Sequence, residues 1–468
     1  DENPFDISLS GTGVLALPLE SPAVLGAQAP GLDPGIVFSY FGDISLNNDG
    51  DAVVYARVSG AGISAANDGS VWVLDENGFN LLIREGDAMP VGAGTVAEPL
   101  SSVRMTNTGV SHFMSGVAGT GVTTATNAAG WVDDGTSVTP FYLKGTTFSN
   151  VFNGVSQQTN TDDGYFAGQL KLESGSVTAA NDTGVWKTEA DGTVTPAVRE
   201  GAVIAGAVKV GNLMNRVAVG SNGMGVYPAY LTGVTPAATN RAVLKQDFYN
   251  GGAPVIVVQS QIAGSVPGVA GGLFSTFSSE SVNASGKVAI GAMLVTGAAG
   301  GGVTSAEDTG IWREDASGNL ELVIREGEQV TGRDPGVVYA IFSEHWLLDD
   351  GGMVVHATLR GSGVTGSNNS GLWHIDAAGT KTLLVGTGET VAELGGAQVS
   401  AFNLRPDVSA AGKYAVTVKL TTGVAGTVLG TNLVLLAGDV TTPGTFSLKM
   451  RSGDAYSVGG TARQIRNM

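Results

Sequence analysis

One tryptophan context recurs along the chain. Trp72, Trp131, Trp186, Trp312 and Trp373 close the segments NDGSVW, NAAGW, NDTGVW, EDTGIW and NNSGLW. Their spacings are 59, 55, 126 and 61 residues, so the double interval requires a copy near residue 248. TNRAVL, ending at Leu244, occupies it, and TNLVLL follows at 431–436, giving seven units with a period close to 60. A motif that returns at a fixed period reports an architecture first, because each unit must bury its apolar face against its neighbours.

The first unit shows what is repeated. An apolar stretch, FSYFGDISL (38–46), meets a polar turn, NNDG. DAVVYARVSG (51–60) follows, rich in β-branched and aromatic residues, as strands are. A Gly/Thr/Ala loop leads to SVWVLDE, which turns at Asn77-Gly78 into FNLLIREGD. Asn-Gly is a strong type I′ hairpin signal. Asp134-Gly135, Asp191-Gly192, Ser317-Gly318 and Ala378-Gly379 are its equivalents. Four strands per repeated unit predict an all-β propeller of about seven four-stranded blades, bounded near 37–96, 97–150, 151–207, 208–269, 270–337, 338–398 and 399–468. The alternative is eight blades, the last shared by both termini. Composition agrees with short strands and tight turns, since Gly is 71 of 468 residues and charged residues are only 14%.

The turn between the first two strands has its own register: Asn47-x-x-Gly50, Thr106-x-x-Gly109, Thr161-x-x-Gly164, Asn222-x-x-Gly225, Asn283-x-x-Gly286, Asp349-x-x-Gly352 and Ser409-x-x-Gly412. With apolar residues following, as in NASGKVAI, and Phe113 at the motif's end in one unit, the chain resembles the bacterial tandem-repeat family named for NxxGxxAF. That family's members carry varied surface-anchoring signals. The resemblance implies an exported, surface-associated bacterial protein, propeller-like, with no catalytic residues to carry over.

Residues 1–36 read as an incomplete N-terminal copy, DISLSGTGVLALPL, followed by a Pro/Gly linker, ESPAVLGAQAPGLDPG. This segment and GGTARQIRNM at the C-terminus are expected either to close the propeller of 37–468 or to pair with a neighbouring subunit, giving homo-oligomers, a filament or a surface lattice. The charge of −18 excludes nucleic acid as a partner, and no apolar run is long enough for direct membrane insertion. With no cysteine, disulfides and thiol chemistry are excluded.

Candidate chemistry is weighed against the repeat. Arg84-Glu85, Arg199-Glu200 and Arg325-Glu326, each followed by Gly, hold one position in three units, so they are expected to be structural. There Gly supplies a left-handed strand exit while Arg and Glu pair across blades. NDTGVW and EDTGIW are similar to the Asp-box of sialidase-like propellers, itself a structural turn. The acidic turns offer weak Ca2+ candidates in Asp49, Asp51, Asp162, Asp163, Asp349 and Asp350; no other cofactor is implied. His112, His345, His356 and His374 lack zinc spacing. Trp346 breaks the tryptophan pattern beside His345 and near Glu344, which makes this the place to look for a ligand. The expected function is a non-catalytic, extracellular or cell-surface structural or binding module; a secreted polysaccharide hydrolase acting at the rim or channel is the alternative.

Overall fold

The computed structural model describes residues 24–464 except 48–50, 91–93, 107, 145–146, 149, 152–156, 159–164, 170–177, 179–180, 189–193, 215, 265 and 459–460. Those residues form antiparallel strands and three short 3-10 turns. None of them forms a helix long and apolar enough to cross a membrane. The strands follow one another as meanders, the arrangement of propeller blades. Sheets I (37–84), II (95–143), III (157–199), V (274–325) and VI (338–386) have four strands each. Sheets IV (203–259) and VII (390–451) have six.

Seven equal four-stranded blades are therefore not what forms. Sheets IV and VII each begin with a short extra strand, Val203–Ala205 and Thr390–Val391, and each splits its first long strand in two. The chain divides into two compact units, one comprising 1–219, 229–233 and 251–254, the other 220–228, 234–250 and 255–468. The expected N-terminal copy, residues 1–20, lies outside the described residues. The C-terminal segment pairs Thr461–Gln464 with Ala455–Val458 in a two-stranded sheet of its own.

The inner strands of sheet I are buried on both faces, Ala52–Ala56 and Gly69–Trp72 without a break. Val53, Tyr55 and Ile83 of sheet I share a core with Val96, Phe113 and Trp131 of sheet II. In the other unit, Ile311 and Ile324 of sheet V pack with Tyr339, Val355 and Trp373 of sheet VI. The repeated tryptophan thus faces the sheet that precedes its own. Trp72 packs instead on Ala29, Ile36 and Phe38. Residues 24–36 are accordingly no linker. They fold around Gln28, whose Nε2 donates to the carbonyls of Ala29, Leu32 and Asp33 while Gly35 N donates to its Oε1. Gln329 does the same for Val330, Arg333, Asp334 and Gly336 before sheet VI.

A register shift sits at the tryptophan in every large sheet. Val71 pairs with Ile83 but Trp72 with Leu81, leaving Leu82 as an extra residue on the fourth strand. The same bulge precedes Trp131, Trp186, Leu244, Trp312, Trp373 and Leu436. A bulge bends and twists the strand, making room for an indole, or for leucine where the ring is absent. Truncating a ring this buried costs about 3–5 kcal/mol.

The NxxG register also shifts on inspection. The turn closes between the amide of its first residue and the carbonyl four residues on, as in Thr106 to Val110, Asn283 to Lys287 and Ser409 to Lys413. In sheets IV and VI the residues so bonded are Gly220 to Met224 and Leu348 to Gly352, with Gly223 and Gly351 at positive φ. Asn222 and Asp349 are therefore turn interior, not turn start.

The strand exit joins sheet to sheet. Gly86, Gly201, Gly327 and Gly388 have φ of 83–89°. That left-handed backbone aims each amide at the first long strand of the following sheet, on the carbonyls of Val96, Val210, Tyr339 and Val399 at 2.7–2.9 Å. Leaving sheet IV, Gln261 takes this conformation without being glycine, at φ 52°, and its amide donates to Phe274 O. A side chain in left-handed backbone costs about 1–2 kcal/mol. Gln261→Gly is therefore expected to stabilise the chain by about 1 kcal/mol. A Cβ at Gly327 would lie 3.2 Å from Ala306 O and 3.3 Å from Glu307 Cβ, so Gly327→Ala should destabilise. Urea midpoints of the two variants, shifted in opposite directions, are the check.

Candidate functional site

The Arg-Glu-Gly stretches resolve into a repeated clasp. Glu200 Oε2 accepts from Thr183 Oγ1 at 2.9 Å and Glu326 Oε2 from Thr309 Oγ1 at 3.0 Å, each at the start of the tryptophan strand. Where the glutamate is missing, hydroxyls substitute. Ser260, Thr387 and Ser452 accept from the amides of Arg241, Ser370 and Leu433. The arginine reaches the loop before that strand, Arg199 to Asn181 O and Arg325 to Glu307 O. Arg451 likewise donates to Thr431 O. Glu326 also meets Arg360 of sheet VI at 2.6 Å, whereas Arg84 lies 4.0 Å from Asp87 within its own turn. Arg and Glu of one stretch thus take different partners, and among the described residues Glu326 alone of the three glutamates is recorded with an arginine on the next sheet.

The acids described in these turns accept hydrogen bonds from neighbouring side chains and amides. Asp51 accepts from Asn47 Nδ2, Asp349 from Ala284 N and Asp350 from Gly352 N. Asp49, Asp162 and Asp163 lie outside the described residues. Among the described residues, the acids gathered closely enough to hold a metal are Asp68, Glu85 and Glu98, with ligand oxygens within 4.8 Å of one another. The Arg57 guanidinium already stands there, 3.7 Å from Asp68 and 3.2 Å from Glu98. Tyr55 donates its hydroxyl to Glu98 at 2.6 Å, and burial followed by this hydrogen bond pushes its pKa up to about 12. Sequence reading missed this cluster because its members come from two sheets.

The candidate site lies between sheets V and VI. A cavity of about 260 Å3 is lined by Ser278, Ser279, Gly291, Met293, Ile341 and His345, among others. Both first strands, Phe274–Val282 and Val338–Leu347, carry two register shifts here. Such bulges push the strand backbone out of plane and open the space. His345 is 9% exposed, its Nδ1 is 3.2 Å from Ser279 Oγ, and its Nε2 makes no hydrogen bond. Burial pushes its pKa down to about 4, with a small opposing pull from the Ala289 backbone. The imidazole is neutral at neutral pH. Glu326 and Glu344 also line the cavity, each already paired to an arginine, Arg360 and Arg405. No lysine or arginine lines it.

Trp346 does not join this site. Successive residues of a strand point to opposite faces. Trp346 packs against the core of sheet VII, with Arg405 5.9 Å from its ring, while His345 faces sheet V. His356 and His374 belong elsewhere, His356 beside Ser370 and Phe402, His374 near Asp350 and Asp376.

A model of a family of unknown function, DUF7453, matches residues 19–140 and 160–393. The chain belongs to that family. No curated protein matches it. Among solved structures it is similar to the β-propeller domain of the Trilobed protease from Pyrococcus furiosus, at 9% identity and a TM-score of 0.43, covering 89% of this chain and 99% of that one. It is also similar to the periplasmic gluconolactonase of Pseudomonas aeruginosa, at 14% identity and a TM-score of 0.33, covering 86% and 96%. PorZ, a bacterial surface component of the type-IX secretion system of Porphyromonas gingivalis, matches at 11% and 0.32, covering 91% and 58%.

Acid should weaken the fold through its histidines. Burial lowers His112, like His345, to about 4 from the ordinary 6.5. Between those values the unfolded chain binds a proton that the folded chain refuses. Stability is whole above pH 6.5 and falls as pH drops towards 4, by on the order of 3 kcal/mol per histidine. Burial raises Asp308 and Glu200, which act in the opposite sense as pH climbs through the carboxylate range. His345→Gln is expected to lose part of the acid sensitivity. Urea midpoints at about pH 7 and about pH 5 should differ less in the variant than in the native chain.

Proposed function

We propose that this chain is an exported, non-catalytic binding module whose ligand site is the cavity between sheets V and VI. The observation that carries this reading is the pairing of both cavity carboxylates to arginines, Glu326 to Arg360 and Glu344 to Arg405. General acid–base hydrolysis of a glycoside needs one carboxyl free to give up a proton and a second free to attack or to activate water. Here the groups hold the walls in place. The Ser279–His345 contact is no hydrolytic triad either, since among the described residues no carboxylate is hydrogen-bonded to His345 to orient its ring. Export is supported by the complete lack of cysteine and the acidic balance of −18, together with the resemblance to surface-anchored repeat proteins.

Incubation with a panel of bacterial and plant polysaccharides, followed by a reducing-end assay, tests the absence of chemistry. The expected result is no release above a heat-treated control. Release that disappears in Glu344→Gln would place the chain among hydrolases.

A further inference from the structure

Sheets I and V superimpose residue for residue through their strand pairing. Val54 pairs with Trp72 and Ile290 with Trp312, so Tyr55 corresponds to Gly291 and Arg57 to Met293. On the first strands, Phe41 pairs with Ala56 and Phe277 with Ala292, so Gly42 corresponds to Ser278. Glu98 and Ile341 each lie two residues beyond the carbonyl that receives the exit glycine, Val96 and Tyr339. Between sheets I and II the Tyr55 ring fills the gap. It lies so close over Gly42 that a Cβ there would be 2.5 Å from the ring, and its hydroxyl reaches Glu98. Between sheets V and VI that ring is gone. Sheet VI has His356 at the same position, packed on Phe402 of sheet VII, and sheet II has Met114. The cavity thus opens where sheet I has the Tyr55 ring, with the Ser279 and Ser278 hydroxyls standing 2.5 and 2.8 Å from where a Cβ of residue 291 would lie.

We propose that it receives a neutral sugar ring. This rests on the binding-module reading and names its ligand class. The vacated space is ring-sized and sits in the frame that holds a phenol and its hydroxyl in the first unit. Its walls offer hydroxyls, with Ser278 and Ser279 over Gly291 and Thr309 nearby, and the buried neutral imidazole of His345 meets Ser279 Oγ through Nδ1 at 3.2 Å. Met293 and Ile341, 43% and 63% exposed, supply an apolar side for the C–H face of a sugar. With no lysine or arginine on the walls and two carboxylates among them, an anionic sugar is disfavoured.

Titration calorimetry of the native chain with glucose, galactose, N-acetylglucosamine, glucuronate and phenol decides the matter. A triple variant, Ser278→Gly and Ser279→Gly with Gly291→Met, removes the two hydroxyls that a Cβ at 291 would meet at 2.8 and 2.5 Å and refills the space with the side chain that sheet II carries there. A single cooperative urea transition in the variant certifies its fold. The expected result is binding of at least one neutral sugar, weakened at least about tenfold in the refilled variant, and none of glucuronate. Neutral sugars bound equally by native and refilled chains would overturn the proposal. Phenol bound by the native chain alone would overturn the sugar while leaving the cavity a ligand site. No binding of any probe would overturn both.

Discussion

The exit from sheets I, III, IV, V and VI is the contact on which the rest of the structure leans. A left-handed residue turns its amide away from the strand it ends and onto the first long strand of the next sheet. A second bond returns from that strand, as from Val96 N to Asp87 O and from Tyr339 N to Glu328 O. Two backbone bonds so placed fix where the next sheet begins and therefore which residues face across the gap. The buried Glu, Thr or Ser beside the glycine then ties the exit to the start of the tryptophan strand. Because the amide and carbonyl belong to every residue, this junction survives wide changes of side chain. What it does not tolerate cheaply is a Cβ at the turn, which is why glycine recurs there and Gln261 stands out.

With the junction fixed, side chains divide their labour. The tryptophan and the bulge opposite it are held constant, because the indole fills the space against the preceding sheet, or in Trp72 against Ala29, Ile36 and Phe38. One residue further along the second strand the filling changes, from Tyr55 to Met114, Gly291, His356 and Thr417. At this position the units can differ without disturbing the meander. Tyr55 turns it into a hydrogen-bonded plug with Glu98 and Arg57, and Gly291 leaves it open.

The repeat was legible in the sequence because a buried aromatic ring has few substitutes, and the left-handed glycine has few as well. The NxxG register was legible only in part. Its defining bond joins two backbone groups, so Gly220 and Leu348 can start the turn while Asn222 and Asp349 beside them imitate the motif. The loop at 24–36 looked like a linker because Pro and Gly there serve a compact turn whose organiser, Gln28, carries no compositional signal. The extra strands of sheets IV and VII are two or three residues long, too short for any periodicity to register. His345 was found by its oddity beside Trp346, but the alternation of a strand sends the two to opposite gaps. The cavity itself was hidden, since a missing side chain is visible only once strand pairing has aligned Gly291 with Tyr55.

An open space of this size is costly unless its walls are polar. This one opens to solvent past Met293 and Ile341, 43% and 63% exposed. Serine and threonine hydroxyls on the wall change the account, because a polar cavity of this volume stays solvated. The same chain contains a cheaper solution in Tyr55 and Gly42, with a ring packed and its hydroxyl satisfied. Between sheets V and VI stand instead Gly291, two serines on the first-strand bulge of sheet V and the buried neutral His345 of sheet VI, bonded to Ser279. Hydrogen-bonding groups gathered around a vacated ring site contribute little to folding. Their arrangement makes physical sense when something polar and ring-sized comes to occupy it.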